Sequence, residues 1–82
     1  MDTYFELIKF IHQKIKENLQ KNQRSVAWLA RKLNLDTSNF AKKLNDYSIQ
    51  PEMLVQICII LGENFFLYYF LFVEKKMPNG KN

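Results

Sequence analysis

Apolar residues recur at three- and four-residue steps near the start of the chain, where Leu7, Ile8, Ile11, Ile15 and Leu19 form one stripe. Lys9, Lys14, Lys16 and Glu17 lie off it. That spacing predicts a long amphipathic helix. Thr3-Tyr4-Phe5-Glu6 fits a capping box at its start, in which hydroxyl and carboxylate satisfy free amides reciprocally. The helix should fade at residues 21–23, where the apolar positions stop. His12 falls on its polar side and reads as a solvated imidazole.

Two short amphipathic segments follow. Ser25 is a good N-cap for a second helix whose inward residues are Val26, Leu29, Ala30 and Leu33. Asn34 tolerates the left-handed conformation that ends helices where glycine is absent. Asp36 then caps a third helix after a tight turn, with Leu35 and Phe40 spaced as a hydrophobic staple. Phe40 and Leu44 give that helix just enough apolar surface to dock. Its remaining positions include Thr37, Ser38, Asn39, Lys42 and Lys43, all polar.

Residues 45–50 read as a loop, and Pro51 suits the first position of a fourth helix. Met53, Leu54, Ile57, Cys58, Ile60 and Leu61 make that helix apolar over more than half its circumference. Cys58, within this stripe, reads as a small buried hydrophobe. Gly62 ends it, and Asn64 caps a fifth helix over residues 65–73 that is apolar on every side. Residues 53–73 approach the ~20 needed to cross a bilayer. Gly62-Glu63-Asn64 at the midpoint is a charged helix break, however, and a central carboxylate costs about 2.5–3.5 kcal/mol on insertion scales. Two short buried helices fit better than a membrane span. The expected architecture is all-α: one domain over residues 1–76, a compact five-helix bundle, with residues 77–82 as a frayed tail.

Composition narrows the function. Eighty-two residues make one domain, and 48% apolar with 24% charged residues is ordinary globular composition. With two Gly and two Pro, a β fold rich in tight turns is not expected. A lone Cys58 and a lone His12 build neither a disulfide nor a tetrahedral metal site, which favours a reducing, cytoplasmic home. The first ten residues lack the basic n-region of a signal peptide. No nucleophile–base pair, phosphate-cradling glycine loop or spaced carboxylate pair is present, so an enzyme is not expected, nor a cofactor. No small-molecule ligand is evident.

The net charge of +4 hides an asymmetry. Residues 9–43 hold nine basic side chains against Glu17 and Asp36, whereas residues 44–74 hold four acids and no base. A localised positive region suits a polyanion such as nucleic acid. A solubilising lysine surface is the plainer reading of the same charges.

Two short capped helices joined by a tight turn, the second carrying small polar and basic side chains, follow the plan of a helix-turn-helix. A recognition helix must enter the DNA major groove, offering short donors and acceptors outward and a narrow apolar edge inward. The run Ser25-Val-Ala-Trp-Leu-Ala-Arg-Lys-Leu-Asn-Leu-Asp-Thr-Ser-Asn-Phe-Ala-Lys-Lys-Leu44 resembles the helix-turn-helix of the lambda-repressor-like (XRE-type) family of bacterial and phage regulators. Leu29-Ala30, Leu33, Leu35 and Phe40 carry the resemblance. Pro51 and Leu61-Gly62 extend it to that family's five-helix plan, over roughly residues 4–73.

The resemblance implies a transcriptional regulator that binds double-stranded DNA. It places Thr37, Ser38 and Lys42 at base edges and Ser25 at a phosphate. Around that set, Arg31, Asn39, Lys43 and Tyr47 are candidate phosphate contacts. The frequent turn glycine of the family is replaced by Asn34, Lys43 stands where relatives are often apolar, and Asp46 stands where many carry Gly or a base. Trp28 reads as half-buried packing. The aromatic fifth helix cannot hide every side, so a homodimer through Phe66, Tyr69, Phe70 and Val73 is expected. Its two-fold axis would match a palindromic operator with half-sites about 34 Å apart or a multiple of it. The rival reading is a protein-interaction module of the same fold that uses the fifth helix and has lost DNA reading.

Overall fold

A computed structural model describes residues 3–77 and contains five α-helices, with no strand among the described residues. The order is α1 (Thr3–Lys21), α2 (Val26–Lys32), α3 (Thr37–Asn45), α4 (Pro51–Leu61) and α5 (Phe66–Lys76). Apart from Met77, the expected tail lies outside the described residues. α1 begins at Thr3 itself, one residue earlier than a Thr3 cap requires, and the Glu6 carboxylate faces Lys76 of α5 at 3.9 Å.

The core is built around the α1 stripe. Leu7, Ile11, Ile15 and Leu19 are buried, and Leu29, Ala30, Phe40, Leu44, Leu54, Ile57 and Phe65 close over them. Fully burying such a side chain contributes about 1.5–3 kcal/mol, so this cluster is the main source of stability. α5 contributes no fully buried residue of its own. Phe65, just before it, is the anchor.

Four helices end in a left-handed residue, and only one of these is glycine. Gly62 has φ 72°, with its amide donating to the Cys58 carbonyl at 2.8 Å. Asn34 has φ 60°, as its place in the sequence predicts, but Gln23 at 57° and Tyr47 at 58° perform the same reversal. Such a conformation costs an ordinary L-residue roughly 1–2 kcal/mol. Beyond Gly62, the Phe65 amide donates to Cys58 Sγ at 3.4 Å and the Asn64 side chain accepts from the Phe66 amide at 3.0 Å. Cys58 is therefore half-buried and hydrogen-bonded, not simply a hydrophobe. α5 runs three residues past the expected end, to Lys76.

No helix is long and apolar enough to cross a membrane among the described residues. α4 and α5 reach that length only together, and they are bent by 113° at the break.

His12 corrects the sequence reading, for it is buried, with 3% of its surface exposed. Its ring lies edge-on to Tyr47 at 5.7 Å. Nδ1 lies 2.7 Å from the Ile8 carbonyl, and Nε2 accepts the Ile49 amide at 3.2 Å. One nitrogen must donate and the other accept, which only the neutral Nδ1–H tautomer does. Burial, together with nearby Lys16, holds its pKa below the ordinary 6.5 even though the Ile8 carbonyl pulls the other way. Asn18, also buried, donates to Glu63 Oε1 at 2.6 Å, and Tyr68 donates to the other Glu63 oxygen. Desolvation raises the Glu63 pKa, but these two donors together with the charges of Lys21 and Lys14 outweigh it and leave the carboxyl below its usual value. The same bond pushes the Tyr68 hydroxyl up to about 12.

Stability should respond to both His12 and Gln23. Because the folded-state pKa of His12 lies below the unfolded one, the neutral ring's contribution is present above pH 6.5 and is lost as pH falls below it. Denaturant midpoints measured across this range should therefore drop on acidification in the wild type, and His12→Gln should flatten that segment of the profile. At the end of α1, Gln23 is exposed. Gln23→Gly removes the left-handed strain there and should stabilise the protein by up to about 1 kcal/mol in the same assay.

Candidate nucleic-acid interface

The unit formed by α2 and α3 follows from local rules. Ser25 Oγ accepts the Trp28 amide at 3.0 Å, so the expected cap starts α2. At the other end the Leu35 amide reaches the Ala30 carbonyl at 2.8 Å and the Asn34 amide the Arg31 carbonyl at 3.0 Å. With Asn34 left-handed, the chain reverses within four residues. Asp36 Oδ2 then accepts the Asn39 amide at 3.1 Å and starts α3. Leu29 and Ala30 on one helix and Phe40 on the other are wholly buried, and Ala30 has no side chain large enough to hold the helices apart.

That packing uses only one edge of α3. Thr37, Ser38, Asn39 and Lys42 are all exposed, and Lys43 is half-buried, its stem covered as its position near the core requires. Asn39, Lys42 and Lys43 share a shallow hollow of about 400 Å³ with Asp36 and Asp46. Thr37 and Ser38 lie outside that hollow. Lys42 Nζ pairs with Asp46 Oδ2 at 3.2 Å, one turn along the helix, with the two side chains 77% and 55% exposed.

The remaining expected contacts divide. Ser25 and Arg31 are exposed at opposite ends of α2. Tyr47 is half-buried, its ring edge-on to Phe5 and to His12 at 5.7 Å each, so its chief contacts hold the post-α3 loop against α1. On α5, Phe66 and Tyr69 stack at 5.8 Å and pack against the core, whereas Phe70 and Val73 are exposed. The outward apolar surface of α5 also includes Leu67 and Leu71, and Ile59 of α4 is 75% exposed.

One basic feature lies outside the sequence expectations. The Arg24 guanidinium lies 4.2 Å above the Trp28 ring and Lys32 Nζ 5.7 Å from it, so the indole is flanked by two cations. The i, i+4, i+8 spacing of Arg24, Trp28 and Lys32 is the signal that points to it. Half-buried Trp28 is thus packing, as expected, and also a brace that holds two cations beside α2.

No group of three or more His, Cys, Asp or Glu side chains able to hold a metal ion occurs among the described residues. Comparison with protein-family models, with curated proteins and with solved structures finds no match to this chain.

The cap at Asp36 gives a direct check on α3. Asp36→Ala should cost about 1 kcal/mol in equilibrium unfolding, whereas Asp36→Asn, which can still accept the Asn39 amide, should cost far less.

Proposed function

We propose that this chain is a sequence-specific DNA-binding transcriptional regulator of the lambda-repressor-like (XRE-type) kind, acting in the cytoplasm. α2 and α3 serve as its helix-turn-helix. The observation that carries this reading is the division of α3 into two edges: Phe40 and Leu44 are buried, Ser38, Asn39 and Lys42 stand free of the core on the other side, and Thr37 is exposed at the helix start. A helix held by so narrow an edge leaves the rest of its circumference for a groove.

In this reading Thr37, Ser38 and Lys42 meet base edges. Ser25, Arg31, Asn39, Lys43 and Tyr47 meet the backbone, where Tyr47 offers only its hydroxyl. Basic side chains of α1 to α3 release counterions from DNA, so affinity falls steeply with salt. A homodimer through the outward face of α5 supplies the two-fold symmetry of a palindromic operator.

The second reading, a protein-interaction module, is favoured by the Lys42–Asp46 pair and by the exposed apolar side chains of α4 and α5. Selection from random duplexes near physiological salt separates the two. Enrichment of a palindrome is the expected result, and Lys42→Ala should then weaken binding to it roughly 5- to 150-fold, the range of one base contact, with the fold intact. No enrichment by folded protein, or unchanged affinity in Lys42→Ala, would remove DNA reading by α3 and leave the interaction module.

A further inference from the structure

The loop between α3 and α4, residues 46–50, contains no buried residue. Most of its hydrogen bonds are local. The Asp46 amide donates to the Lys42 carbonyl at 2.8 Å and the Ser48 amide to the Lys43 carbonyl at 2.9 Å, so the loop caps the last turn of α3. Its one hydrogen bond to α1 among the described residues runs from the Ile49 amide to His12 Nε2. We propose that His12 is an acid-operated latch, whose protonation releases the α3–α4 loop from α1 while the rest of the core stays closed.

Counting donors and acceptors gives the latch its action. Neutral His12 donates from Nδ1 to the Ile8 carbonyl and accepts the Ile49 amide at Nε2. A protonated ring has two donors and no acceptor. The bond to Ile8 survives that change, but Nε2–H is then aimed at the Ile49 N–H, and the two must part. The ring belongs to α1 and stays tied to its own helix through Ile8, so the loop is the side that moves.

The loop is built to yield. Tyr47 has φ 58°, a strained left-handed hinge two residues before Ile49. A hollow of about 280 Å³ lies along the loop, between Tyr4, Phe5 and Ile8 of α1 and residues 47–51, and gives it room to swing. The fully buried cluster includes no residue of the loop, so its departure leaves that cluster covered.

The surrounding charges do not shelter an imidazolium. Lys16, one turn along α1, acts on the ring and disfavours a second positive charge beside it. Lys9, on the preceding turn, lies over the Phe5 ring at 5.8 Å. From the loop, Tyr47 brings a hydroxyl and Asp46 is paired with Lys42. Glu52, in the first turn of α4, is exposed. Neither carboxylate is among the groups that act on the ring, so the added proton gains no partner while the latch is closed. A freed loop no longer fixes the last turn of α3, where Lys42 and Lys43 stand. The latch therefore governs the outward face of α3 whatever that face binds.

The inference does not rest on DNA reading, and its test uses no DNA. The isotopically labelled full chain is acidified from pH 7 until it unfolds, with His12 ring shifts and backbone order parameters followed by NMR. At pH 7 the ring should carry its proton on Nδ1. As the ring protonates, order parameters of residues 47–49 should fall from about 0.85 to below about 0.6, while those of Ile11 and Ile15 stay near 0.85. In His12→Gln the side-chain oxygen still accepts the Ile49 amide and does not titrate, so the loop should stay ordered over the same range. Should that variant fail to fold, the wild-type titration decides alone. The proposal is overturned if the ring protonates and the loop keeps its order, or if the whole chain unfolds in the same step. A ring that carries its proton on Nε2 at pH 7, a ring still neutral when the chain unfolds, or an unchanged loop response in His12→Gln would overturn it equally.

Discussion

The helices after α1 are 7, 9, 11 and 11 residues long. Isolated helices shorter than about 12–15 residues are marginal in water, so each of these must be held by what it buries. All of them pack into one apolar cluster that includes Leu7, Ile11, Ile15 and Leu19 of α1. α3 illustrates the dependence most clearly, because its nine residues bury only Phe40 and Leu44. Everything its outward face does relies on two side chains, one aspartate cap and a partner helix that is itself only two turns long.

Apolar contact alone leaves the loops free to slide, and two buried polar groups on α1 correct that. His12 takes the Ile49 amide from 37 residues away, and Asn18 reaches Glu63 from 45 residues away. The first bond fixes the loop between α3 and α4, and Tyr47 reinforces it by lying edge-on to the imidazole. The second fixes the sharp turn between α4 and α5, and Tyr68 extends it into the last helix. A buried polar group without a partner costs about 1–3 kcal/mol, so these bonds penalise any arrangement that breaks them. They define the geometry that hydrophobic burial stabilises.

This division between local and long-range contacts decides what is legible in the chain. Ser25, Asn34, Asp36, Pro51 and Gly62 act on neighbours within a few residues, and each performs the local role its chemistry suggests. His12 escapes such a reading because its acceptor role depends on a main-chain amide on another element, which no periodicity on α1 reveals. Gln23 and Tyr47 have no intrinsic preference for the left-handed region, and only the tertiary path puts them there. On α5 the difficulty is different. A helix that is apolar on every side carries no phase, so its inward and outward faces cannot be told apart, and Phe66 and Tyr69 turn toward the core while Leu67 and Leu71 turn out. The candidate DNA face is the more legible, since polarity alone marks the exposed edge of α3.

Asp46 raises the sharpest question for DNA reading, because it already holds Lys42. The pair is an exposed i, i+4 contact with the base N-terminal to the acid, the weaker orientation on a helix. Such pairs contribute only about 0.3–0.5 kcal/mol at best and less in salt. A good contact between a side chain and a base edge contributes about 1–3 kcal/mol of discrimination. The base contact is the stronger of the two, so Lys42 would leave Asp46 for a guanine edge with little loss. The carboxylate's remaining effect would be on the proposed DNA ligand, because it sits in the same hollow as Asn39 and Lys43 and would repel a phosphate approaching them. If the chain reads DNA as proposed, base contact through Lys42 would therefore survive Asp46 better than backbone clamping through Lys43 would, and the proposed role of α3 does not depend on the clamp.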